Sequence, residues 1–473
     1  MKKALNTFLF CLTCNFGFSQ WTSQSPVLPE KQGLYDLQMS PFDNQVVWSI
    51  CNKYTVQNTT FTQSQNSVIL MITRSNDGGE TWNGVTTPSG TNLFASNISP
   101  VSDSIAWISL INGGASFENY IYKTTDGGAT WEQQLQNGFP TGIGYVNLVF
   151  FWDSQIGIAM GDPTNYQGSA NPFFEIWRTV DGGQNWVRIP ESEIPAPISS
   201  SEYGWSGHGS YDAIGQTIWF ETMNGANFPT VLGSRLFRSK DAGQTWEAFN
   251  FEGLYGISFA DSLNGIALEG NPWVGEGQTN TPIYRTTDGG ETWQQSGEIN
   301  GQMTTSAELV PNSLAIIATT RENNFGPYTT QVSHDWGQTW IQLGVTDEFV
   351  AGLTFSNPSV GYGGDWQRAS NKPFNMYKYS GSPITGIISN KKIEASVDIN
   401  PNPATDIVNI EITLPQPGQF AILLNDQNGR LLAKRQFENN GTFTIDLTGY
   451  PAGVYLLTLS TKGGFLTRTI LKK

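Results

Sequence analysis

Short apolar stretches and polar turns alternate along residues 34 to 380. The recurring unit is an apolar strand, a polar turn and a second strand beginning with Gly or another small residue. It occurs seven times, for example in LQMSPFDNQVVWSI, NLVFFWDSQIGIAMGD and GLTFSNPSVGYGGDW. Two apolar strands joined by a tight polar turn are typical of a β-hairpin. The composition agrees, since 51 Gly, 16 Trp and 16 Tyr with 14% charged residues favour short strands over helices. The pattern predicts an all-β chain.

A second motif recurs between these hairpins at intervals of roughly 50 residues. Each copy follows one short apolar strand and precedes another, so it is predicted to be a hairpin turn. The Asp carboxylate and the Ser/Thr hydroxyl can bond turn amides, Gly permits a positive φ, and Trp returns to the core. We therefore interpret the aspartates as structural. The copies read SNDGGETW, TTDGGATW, TVDGGQNW, SKDAGQTW, TTDGGETW and SHDWGQTW, with Asp77, Asp126, Asp181, Asp241, Asp288 and Asp335.

These repeats resemble the Asp-box, or BNR, repeats of sialidases, sortilin-type receptors, xyloglucanases and photosystem II assembly-factor propellers, over about residues 21 to 380. The resemblance implies a β-propeller, and the seven hairpins imply seven blades. The seventh unit has no Asp box and ends after a third strand near Tyr377. The segment QWTSQSPVLPE resembles the strands that follow each box. We expect Trp21 to Pro29 to be the fourth strand of the last blade, which closes the ring and removes a free sheet edge.

The beginning of the chain has the pattern of an export signal. Residues 1–20 start with two lysines, continue with an apolar stretch from Phe8 to Cys14 and end in small and polar residues, which predicts a signal peptide. Its removal leaves Cys51 as the single cysteine, so no internal disulfide is expected.

The end of the chain changes character again. Residues 381–394 are predicted to be a linker, and residues 395–473 alternate apolar and polar positions between Gly, Pro and Asn-Gly turns, which predicts a small Ig-like β-sandwich. This tail resembles the type A sorting domain of the type IX secretion system of Bacteroidetes. The resemblance implies Sec-type export to the periplasm, recognition by the outer-membrane translocon, and a final location outside the cell or on its surface. The residues that match the sorting motif are Pro401, Asn402, Pro403, Gly429, Gly453, Tyr455, Lys472 and Lys473.

Charge and histidine content exclude several classes of function. The net charge of -15 would repel phosphate backbones, and no cluster of Lys and Arg offers them a groove, so nucleic acid is not expected as a partner. No run of about 18 apolar residues follows the signal peptide, so no transmembrane segment is predicted. His208 and His334 are isolated, which gives no support to a His-based zinc site or a Ser-His-Asp triad. No cofactor is expected, apart from Ca²⁺ if carboxylates group together.

In a four-stranded antiparallel blade, successive turns alternate between the two faces of the disc. The Asp boxes therefore share one face with the turns between first and second strands. The loops between second and third strands, and those between blades, lie on the other face, which we call the long-loop face. Aromatic residues on these loops indicate a binding surface, although such residues can equally pin long loops against the disc. The candidate ligand-binding residues are Tyr166, Trp205, Trp273, Tyr328 and Trp366.

Acidic residues also gather at or just beyond the ends of second strands on this face. Two such carboxylates at the right separation could act as acid and base on a glycosidic bond, or could hold Ca²⁺ together. The alternative is that they are solvated loop acids or caps for loop amides. The candidates are Asp162, Glu221, Glu269 and Asp365.

Three functions fit these residues. The first, which we prefer because it requires no catalytic geometry, is a secreted or surface-displayed protein that binds a glycan or an extracellular protein through the long-loop face. The second is a glycoside hydrolase that uses two of the four carboxylates. The third is a purely structural surface component. Sialidase chemistry does not fit: that family has an Arg-Ile-Pro motif ahead of its first box, whereas here no arginine precedes Arg74 and the match at Arg188 follows the third box.

Overall fold

Antiparallel strands make up nearly all of the computed structural model of the chain. It describes residues 20–24, 34–43, 45–54, 68–88, 93–112, 118–135, 145–163, 173–205, 209–225, 234–270, 280–301, 303–311, 313–321, 327–346, 350–364, 376–381, 383–384, 396–414, 420–426, 431–437, 441–461 and 464–473. Within these ranges there are nine sheets, seven before residue 380 and two after residue 395. The one helical segment among them is a single 3-10 turn at Glu191–Glu193. The prediction of an all-β chain is confirmed.

Sheets 1 to 7 are numbered in chain order by their first hairpin. Their strands are β1 (Trp21–Gln24), β2 (Leu34–Pro41), β3 (Val47–Tyr54), β4 (Val68–Ser75), β5 (Asn83–Val85), β6 (Leu93–Pro100), β7 (Ala106–Asn112), β8 (Glu118–Thr124), β9 (Glu132–Gln134), β10 (Val146–Phe151), β11 (Gly157–Pro163), β12 (Phe174–Thr179), β13 (Val187–Arg188), β14 (Glu202–Gly204), β15 (Tyr211–Ile214), β16 (Thr217–Asn224), β17 (Arg235–Ser239), β18 (Glu247–Asn250), β19 (Leu254–Phe259), β20 (Gly265–Glu269), β21 (Asn280–Thr286), β22 (Gln294–Asn300), β23 (Met303–Leu309), β24 (Ile316–Arg321), β25 (Tyr328–Ser333), β26 (Ile341–Thr346), β27 (Ala351–Asn357), β28 (Val360–Gly364) and β29 (Met376–Tyr379).

Each sheet is built from strands that are consecutive in the chain, with two exceptions. Sheets 1, 2, 3, 5 and 6 run β2–β5, β6–β9, β10–β13, β19–β22 and β23–β26 in order. Sheet 4 consists of β15–β18 with the additional strand β14 on β16. Sheet 7 runs β27–β28–β29 and is completed by β1, whose Trp21 lies opposite Tyr379 and whose Gln24 lies opposite Met376. The expected closing strand is thus confirmed for Trp21–Gln24, while residues 25–29 lie outside the described ranges.

The Asp-box turns are held by side chains of the box itself. In the first copy, the Ser75 hydroxyl donates to the Asp77 carboxylate (2.8 Å) and accepts the amide of Gly79 (2.7 Å). Asp77 also accepts the amide and the hydroxyl of Thr81, at 2.9 and 2.6 Å. These hydrogen bonds lower the pKa of the Asp77 carboxyl to about 2. Equivalent bonds recur in the other five boxes, with the Asn185 side-chain amide in place of the Thr hydroxyl in the third, which agrees with the structural interpretation of their aspartates.

Two boxes depart from the usual sequence at the first glycine. Gly78 has a φ of 71° in the first box, and the equivalent Ala242 and Trp336 have φ of 56° and 64°. Side chains with a Cβ are disfavoured in this left-handed region. The network of hydrogen bonds around the box aspartate therefore fixes the turn even where glycine is absent.

A basic residue directly before the Ser or Thr of a box reaches the box of the next sheet. Lys123 donates to the carbonyl of Gly182 (2.8 Å), and Arg178 donates to that of Ala242 (2.8 Å). The buried Arg238 donates to the carbonyl of Gly289 at 2.9 Å. These charge-assisted hydrogen bonds tie sheets 2, 3 and 4 to the box of the sheet that follows each of them. In sheets 1 and 5, Arg74 donates instead to the carbonyl of Asp103 in sheet 2, and Arg285 lies over the ring of Trp336 in the box of sheet 6.

The same position explains how the first and last sheets meet. Lys378 of sheet 7 forms an ion pair with Glu80 in the box of sheet 1, with Nζ and Oε1 2.5 Å apart. Sheet 6 has the apolar Val332 at this position. Sheet 7 carries no Asp box, so Val332 has no box to reach. A basic residue therefore also connects sheet 7 to the box of sheet 1. The junction of sheets 6 and 7, where sheet 7 has no box, lacks this contact.

The first strands of the sheets contact one another in a closed cycle. Pairs in contact are β2 and β6, β6 and β10, β15 and β19, β19 and β23, β23 and β27, and β27 and β2. Strands β10 and β15 meet through the rings of Phe150 and Tyr211, whose centroids are 6.2 Å apart. A cycle of antiparallel sheets around their first strands is the arrangement of a β-propeller.

Polar side chains on the first strands bond the amides of the next first strand. Four of them accept the amide at the end of that strand: Ser99 accepts from Phe151 (2.9 Å), Asp212 from Phe259 (2.6 Å), Ser258 from Leu309 (2.9 Å) and Glu308 from Phe355 (3.0 Å). A first strand has one edge without a strand partner, and these side chains supply acceptors to that edge.

Residues after 395 form two sheets around one apolar core. The first sheet has the order β30 (Ser396–Asn400), β31 (Ile407–Thr413), β34 (Gly441–Asp446). The second has the order β33 (Leu431–Phe437), β32 (Phe420–Asp426), β35 (Gly453–Thr461), β36 (Gly464–Lys472). Buried residues of both sheets share one cluster, for example Ile410 of the first and Leu457 of the second.

The predicted sorting residues brace the edge strand β36 and the turn before β35. The Asn402 side chain donates to the carbonyl of Thr469 (2.8 Å) and accepts the amide of Leu471 (2.9 Å). Lys472 Nζ donates to the carbonyls of Leu447 and Tyr450, both at 2.5 Å. The Tyr455 hydroxyl donates to the carbonyl of Pro451 at 2.6 Å. Gly429 lies outside the described residues, and the other predicted sorting residues that the structure describes are Pro401, Pro403, Gly453 and Lys473.

We expect the closing strand to contribute strongly to stability. Trp21 is buried, packs edge-on against Phe355 and Tyr379 and donates to the Thr330 hydroxyl at 2.8 Å. Trp21→Ala should lower the free energy of unfolding by about 3 to 5 kcal/mol, because it leaves a cavity between sheets 6 and 7. Val187→Ala, which is 68% exposed on an outer strand, is the control and should change it by less than about 0.5 kcal/mol. Chemical denaturation measures both, and equal stability of the two variants would contradict the assignment.

Candidate functional site

Sheet 4 differs from the other sheets at its first strand. β14 and β15 lie end to end along the same edge of β16, with Tyr203 opposite Met223 and Tyr211 opposite Phe220. Trp205 directly follows β14, and Ser210, just before β15, accepts the amide of Glu221 at 2.9 Å. The Trp205 amide donates to the carbonyl of Glu221 at 3.3 Å. The partly exposed Trp205 is therefore paired through its backbone with a candidate acidic residue.

Asp162 lies near the end of β11 and is 5% exposed. One carboxylate oxygen accepts from Asn147 Nδ2 (2.6 Å) and from the amide of Gly204 (3.0 Å), and the other accepts from the amide of Tyr145 (2.9 Å). Burial raises the pKa of the Asp162 carboxyl to about 6, against the opposing effect of these hydrogen bonds. Asp162 thus binds the amide next to Trp205 from the side of sheet 3.

Glu221 lies inside β16 and is 1% exposed. Its Oε2 accepts the amide of Gly256 on the first strand of sheet 5, at 3.1 Å. Burial raises the pKa of the Glu221 carboxyl to about 8, and that single backbone hydrogen bond lowers it only in part. The pKa of the neighbouring Tyr255 is also raised, first by burial and then by the charge of Glu221.

The structure thus brings together three of the predicted residues, Asp162, Trp205 and Glu221, at the junction of sheets 3, 4 and 5. Glu269 ends β20 on the next sheet, opposite Leu254, and acts on the Tyr284 hydroxyl through a hydrogen bond. Tyr328 begins β25 in sheet 6, opposite Arg321 and Thr346, and is separate from this cluster. The other candidates, Asp365, Tyr166, Trp273 and Trp366, lie outside the described residues.

Two ion pairs flank the cluster, and the sequence pattern did not indicate either of them. Arg235 pairs with the buried Glu202 of β14 at 2.8 Å and also donates to the carbonyl of Ala196 at 2.9 Å. Arg188 pairs with Glu175 at 2.8 Å. Both arginines are thereby neutralised within the fold. The members of each pair come from different strands, so only the pairing of those strands brings them together.

The contacts favour a particular interpretation of the two buried acids. Asp162 and Glu221 direct their oxygens to backbone amides of neighbouring sheets, which is the geometry of an amide cap. A carboxyl that is almost completely buried cannot contact a bulky substrate without a rearrangement. Trp205 is the member of the cluster that retains accessible surface and an aromatic ring. In this cluster Asp162 fixes the backbone next to Trp205, and Glu221 fixes the first strand of sheet 5.

Two further features concern metals and membranes. In the ranges that the structure covers, no group of three or more His, Cys, Asp or Glu side chains is arranged to hold a metal ion. Over the same ranges, no helix combines the length and the apolar character that a membrane crossing requires.

The buried Glu221 predicts a dependence of stability on pH. Because its folded-state pKa of about 8 exceeds the ordinary value of 4.5, folding favours the protonated acid, and stability should fall as the pH rises from about 5 to 8. Glu221→Gln should remove up to about 1.4 kcal/mol per pH unit of this slope. Denaturation at pH 5, 6.5 and 8 measures it, with the partly exposed Glu269→Gln as control. An unchanged slope in Glu221→Gln would contradict the assignment.

Comparison with known proteins gives matches to both parts of the chain. Residues 398–473 match the model of the secretion system C-terminal sorting domain, and residues 284–295 match that of the BNR/Asp-box repeat. A xyloglucanase of a Paenibacillus species is 27% identical over 231 residues, which are 44% of this chain and 21% of that protein. The matched region thus spans about a fifth of the length of this curated relative.

Solved structures similar to the chain include two propellers or propeller-like proteins. YCF48 bound to D1 peptide is 17% identical, covers 77% of this chain and 98% of its own, and has a TM-score of 0.47. The β-propeller domain of the Trilobed protease from Pyrococcus furiosus is 9% identical, covers 75% and 97%, and has a TM-score of 0.43. With the cycle of sheets and the box geometry described above, the family matches lead to one conclusion: this chain is a β-propeller protein with Asp-box repeats, followed by a secretion system C-terminal sorting domain.

Proposed function

We propose that this protein is exported by the type IX secretion system and binds an extracellular glycan through the long-loop face of a seven-bladed propeller. The domain boundaries in this proposal are a signal peptide at residues 1–20, the propeller at 21–380, a linker at 381–394 and an Ig-like sorting domain at 395–473. The mature protein is secreted or displayed on the cell surface. Its partners are the outer-membrane translocon and the glycan.

The seven sheets and their closed contacts support seven blades. Each sheet has a first strand that meets the first strands of its two neighbours. β1 supplies the fourth strand of sheet 7, and Lys378 connects that sheet to the box of sheet 1. The two sheets around one core after residue 395 support a sandwich. An Ig-like fold for it remains part of the proposal.

The position of Trp205 is the observation that carries the binding function. It directly follows β14 and is partly exposed, its amide donates to the main-chain carbonyl of Glu221, and Asp162 accepts the amide of the preceding Gly204. Aromatic rings that are held rigidly at a concave surface stack on the apolar faces of sugars and contribute large contact areas. Arg188 and Arg235 are paired with Glu175 and Glu202, so neither of these two cations is available to an acidic ligand, which favours a neutral glycan.

A glycoside hydrolase is the second candidate. The similarity to a xyloglucanase over 44% of the chain favours a glycan as ligand and keeps hydrolysis open. The burial and amide contacts of Asp162 and Glu221 favour binding over catalysis, because both acids already serve the backbone. Asp365 and Glu269 are the other two carboxylates that could act as acid or base in a hydrolase.

We expect Trp205→Ala to weaken glycan binding about five- to thirtyfold, since stacking on an aromatic ring contributes on the order of 1 to 2 kcal/mol. The mature chain is incubated with a panel of neutral and acidic polysaccharides, and bound polymer and new reducing ends are measured together. Trp152→Ala, a partly buried Trp in a turn on the opposite face, is the matched control and should bind like the wild type.

Each outcome of this panel points in one direction. Binding that is lost in Trp205→Ala without reducing ends supports the proposal. Reducing ends that disappear in Asp162→Asn or Glu221→Gln replace it with the hydrolase. Absence of binding to every polysaccharide of the panel would contradict a glycan ligand and favour a protein ligand.

The sorting domain should be necessary for export. Deletion of residues 395–473 is expected to leave the protein in the periplasm, because the matched sorting region is removed. Cell fractionation with detection of the propeller in medium, surface and periplasm measures this. Asn402→Ala removes both side-chain bonds to β36 and should reduce secretion partially. Normal secretion of the deletion variant would contradict the proposal.

A further inference from the structure

Two carboxyl groups occupy positions on the first strands where serine does the same structural work. Ser99 and Ser258 accept the amides of Phe151 and Leu309 through neutral hydroxyls. Asp212 and Glu308 make the equivalent contacts from sheets 4 and 6. A neutral hydroxyl is sufficient for this bond, so the two acids add a property that serine lacks, namely a charge that depends on pH.

The two acids differ in how well their oxygens are satisfied. Both oxygens of Asp212 accept backbone amides, one from Ala213 (2.7 Å) and the other from Phe259 (2.6 Å). Glu308 accepts the amide of Phe355 with Oε1 at 3.0 Å, while its buried Oε2 has no hydrogen-bond partner among the residues that the structure describes. A buried oxygen without a donor is costly when it is charged and far less so when it carries a proton.

The charges around Glu308 do not offset this cost. Burial raises the pKa of the Glu308 carboxyl well above its usual range, the Phe355 amide lowers it, and the negative charge of Asp212 raises it further. Strand β15 contributes Asp212 and Tyr211, and β19 contributes Tyr255, which faces Glu221 of β16. The described part of β27 has no ionisable side chain, and Arg321 of β24 lies opposite Met303, at the far end of β23 from Glu308. In these strands the group that acts electrostatically on Glu308 is another acid.

The contact made by Glu308 lies next to the strand that closes the ring. Phe355, whose amide it binds, packs against Trp21 of β1 at 6.2 Å and against Tyr379 of β29 at 5.5 Å. A change in the charge of Glu308 therefore acts on Phe355 of sheet 7, which packs against β1 and β29. Asp212 has no contact of this kind with sheet 7 in the described residues and acts on Glu308 through its charge.

We propose that Asp212 and Glu308 act as a pH-sensitive lock on the closure of the propeller ring. In acid, Glu308 is protonated, and sheet 6 holds the Phe355 edge of sheet 7 firmly. As the pH rises, Glu308 loses its proton beside the charge of Asp212, and the closing strand Trp21–Gln24 opens more often. Because the acid titrates higher in the folded state, the stabilisation is complete below the unfolded-state value and is lost as the pH rises through the folded-state value.

Hydrogen exchange of the full mature chain tests the lock. Amide exchange in residues 21–24 and 376–379, corrected for intrinsic rates, is compared at pH 5.5 and 8.5. We expect opening of the closing strand to increase about tenfold at the higher pH in the wild type and less than about twofold in Glu308→Gln, which keeps an acceptor for the Phe355 amide. An equal increase in both proteins would overturn the proposal.

Two further variants separate the lock from other effects. Asp212→Asn removes the neighbouring charge but keeps an acceptor, so the opening transition should move to lower pH, and an unmoved transition would overturn the role of Asp212. Glu221→Gln changes a different buried acid and should leave the pH dependence of exchange in residues 21–24 intact. Loss of that dependence in Glu221→Gln would assign the effect to burial in general and overturn the specific pair.

Discussion

The open edge of each first strand is the constraint on which the rest of this propeller depends. A first strand has a partner on one side only, and the unpaired amides on the other side must find acceptors because they lie inside the molecule. Here they are met by side chains of the neighbouring first strand, as for Ser99 with Phe151 and Ser258 with Leu309. An unpaired buried amide costs about 1 to 3 kcal/mol, so a ring of such contacts decides whether neighbouring sheets stay together. The closing strand and the contacts between boxes act on sheets that are already aligned in this way.

Local patterns made the scaffold predictable from the sequence. Hydrogen bonds between residues at most four positions apart hold the Asp box, as between Ser75 and Asp77 and between Asp77 and Thr81. The local sequence is therefore sufficient to predict the turn. The closing strand was predictable because the segment at Trp21 resembles the strands that follow each box. The roles of Asp212 and Glu308 could not be predicted, because each acid accepts an amide of another sheet and acquires its role only when that sheet packs against it. The same holds for the pair of Arg235 and Glu202.

The roles of the candidate site residues could not be predicted from the sequence. Asp162 lies near the end of β11, but Glu221 lies inside β16 rather than at or beyond its end. Their oxygens accept the amides of Tyr145, Gly204 and Gly256. The alternative in which these acids cap loop amides fits this geometry. Sequence alone could not decide, since the amides come from other sheets. The break in the first strand of sheet 4 that presents Trp205 also has no signature in the hydrophobic pattern, because β14 and β15 share one partner.

Val332, the one position where the basic residue before a box is replaced, has a consequence for how such repeats can diverge. Every other junction couples a basic residue in one repeat to a feature of the next, and at this junction both members are missing. Because the acceptors are backbone carbonyls of the box, any repeat that carries a box can follow a basic residue and keep this contact. A repeat without a box removes the acceptor, so its loss and the loss of the basic residue before it are tolerated together.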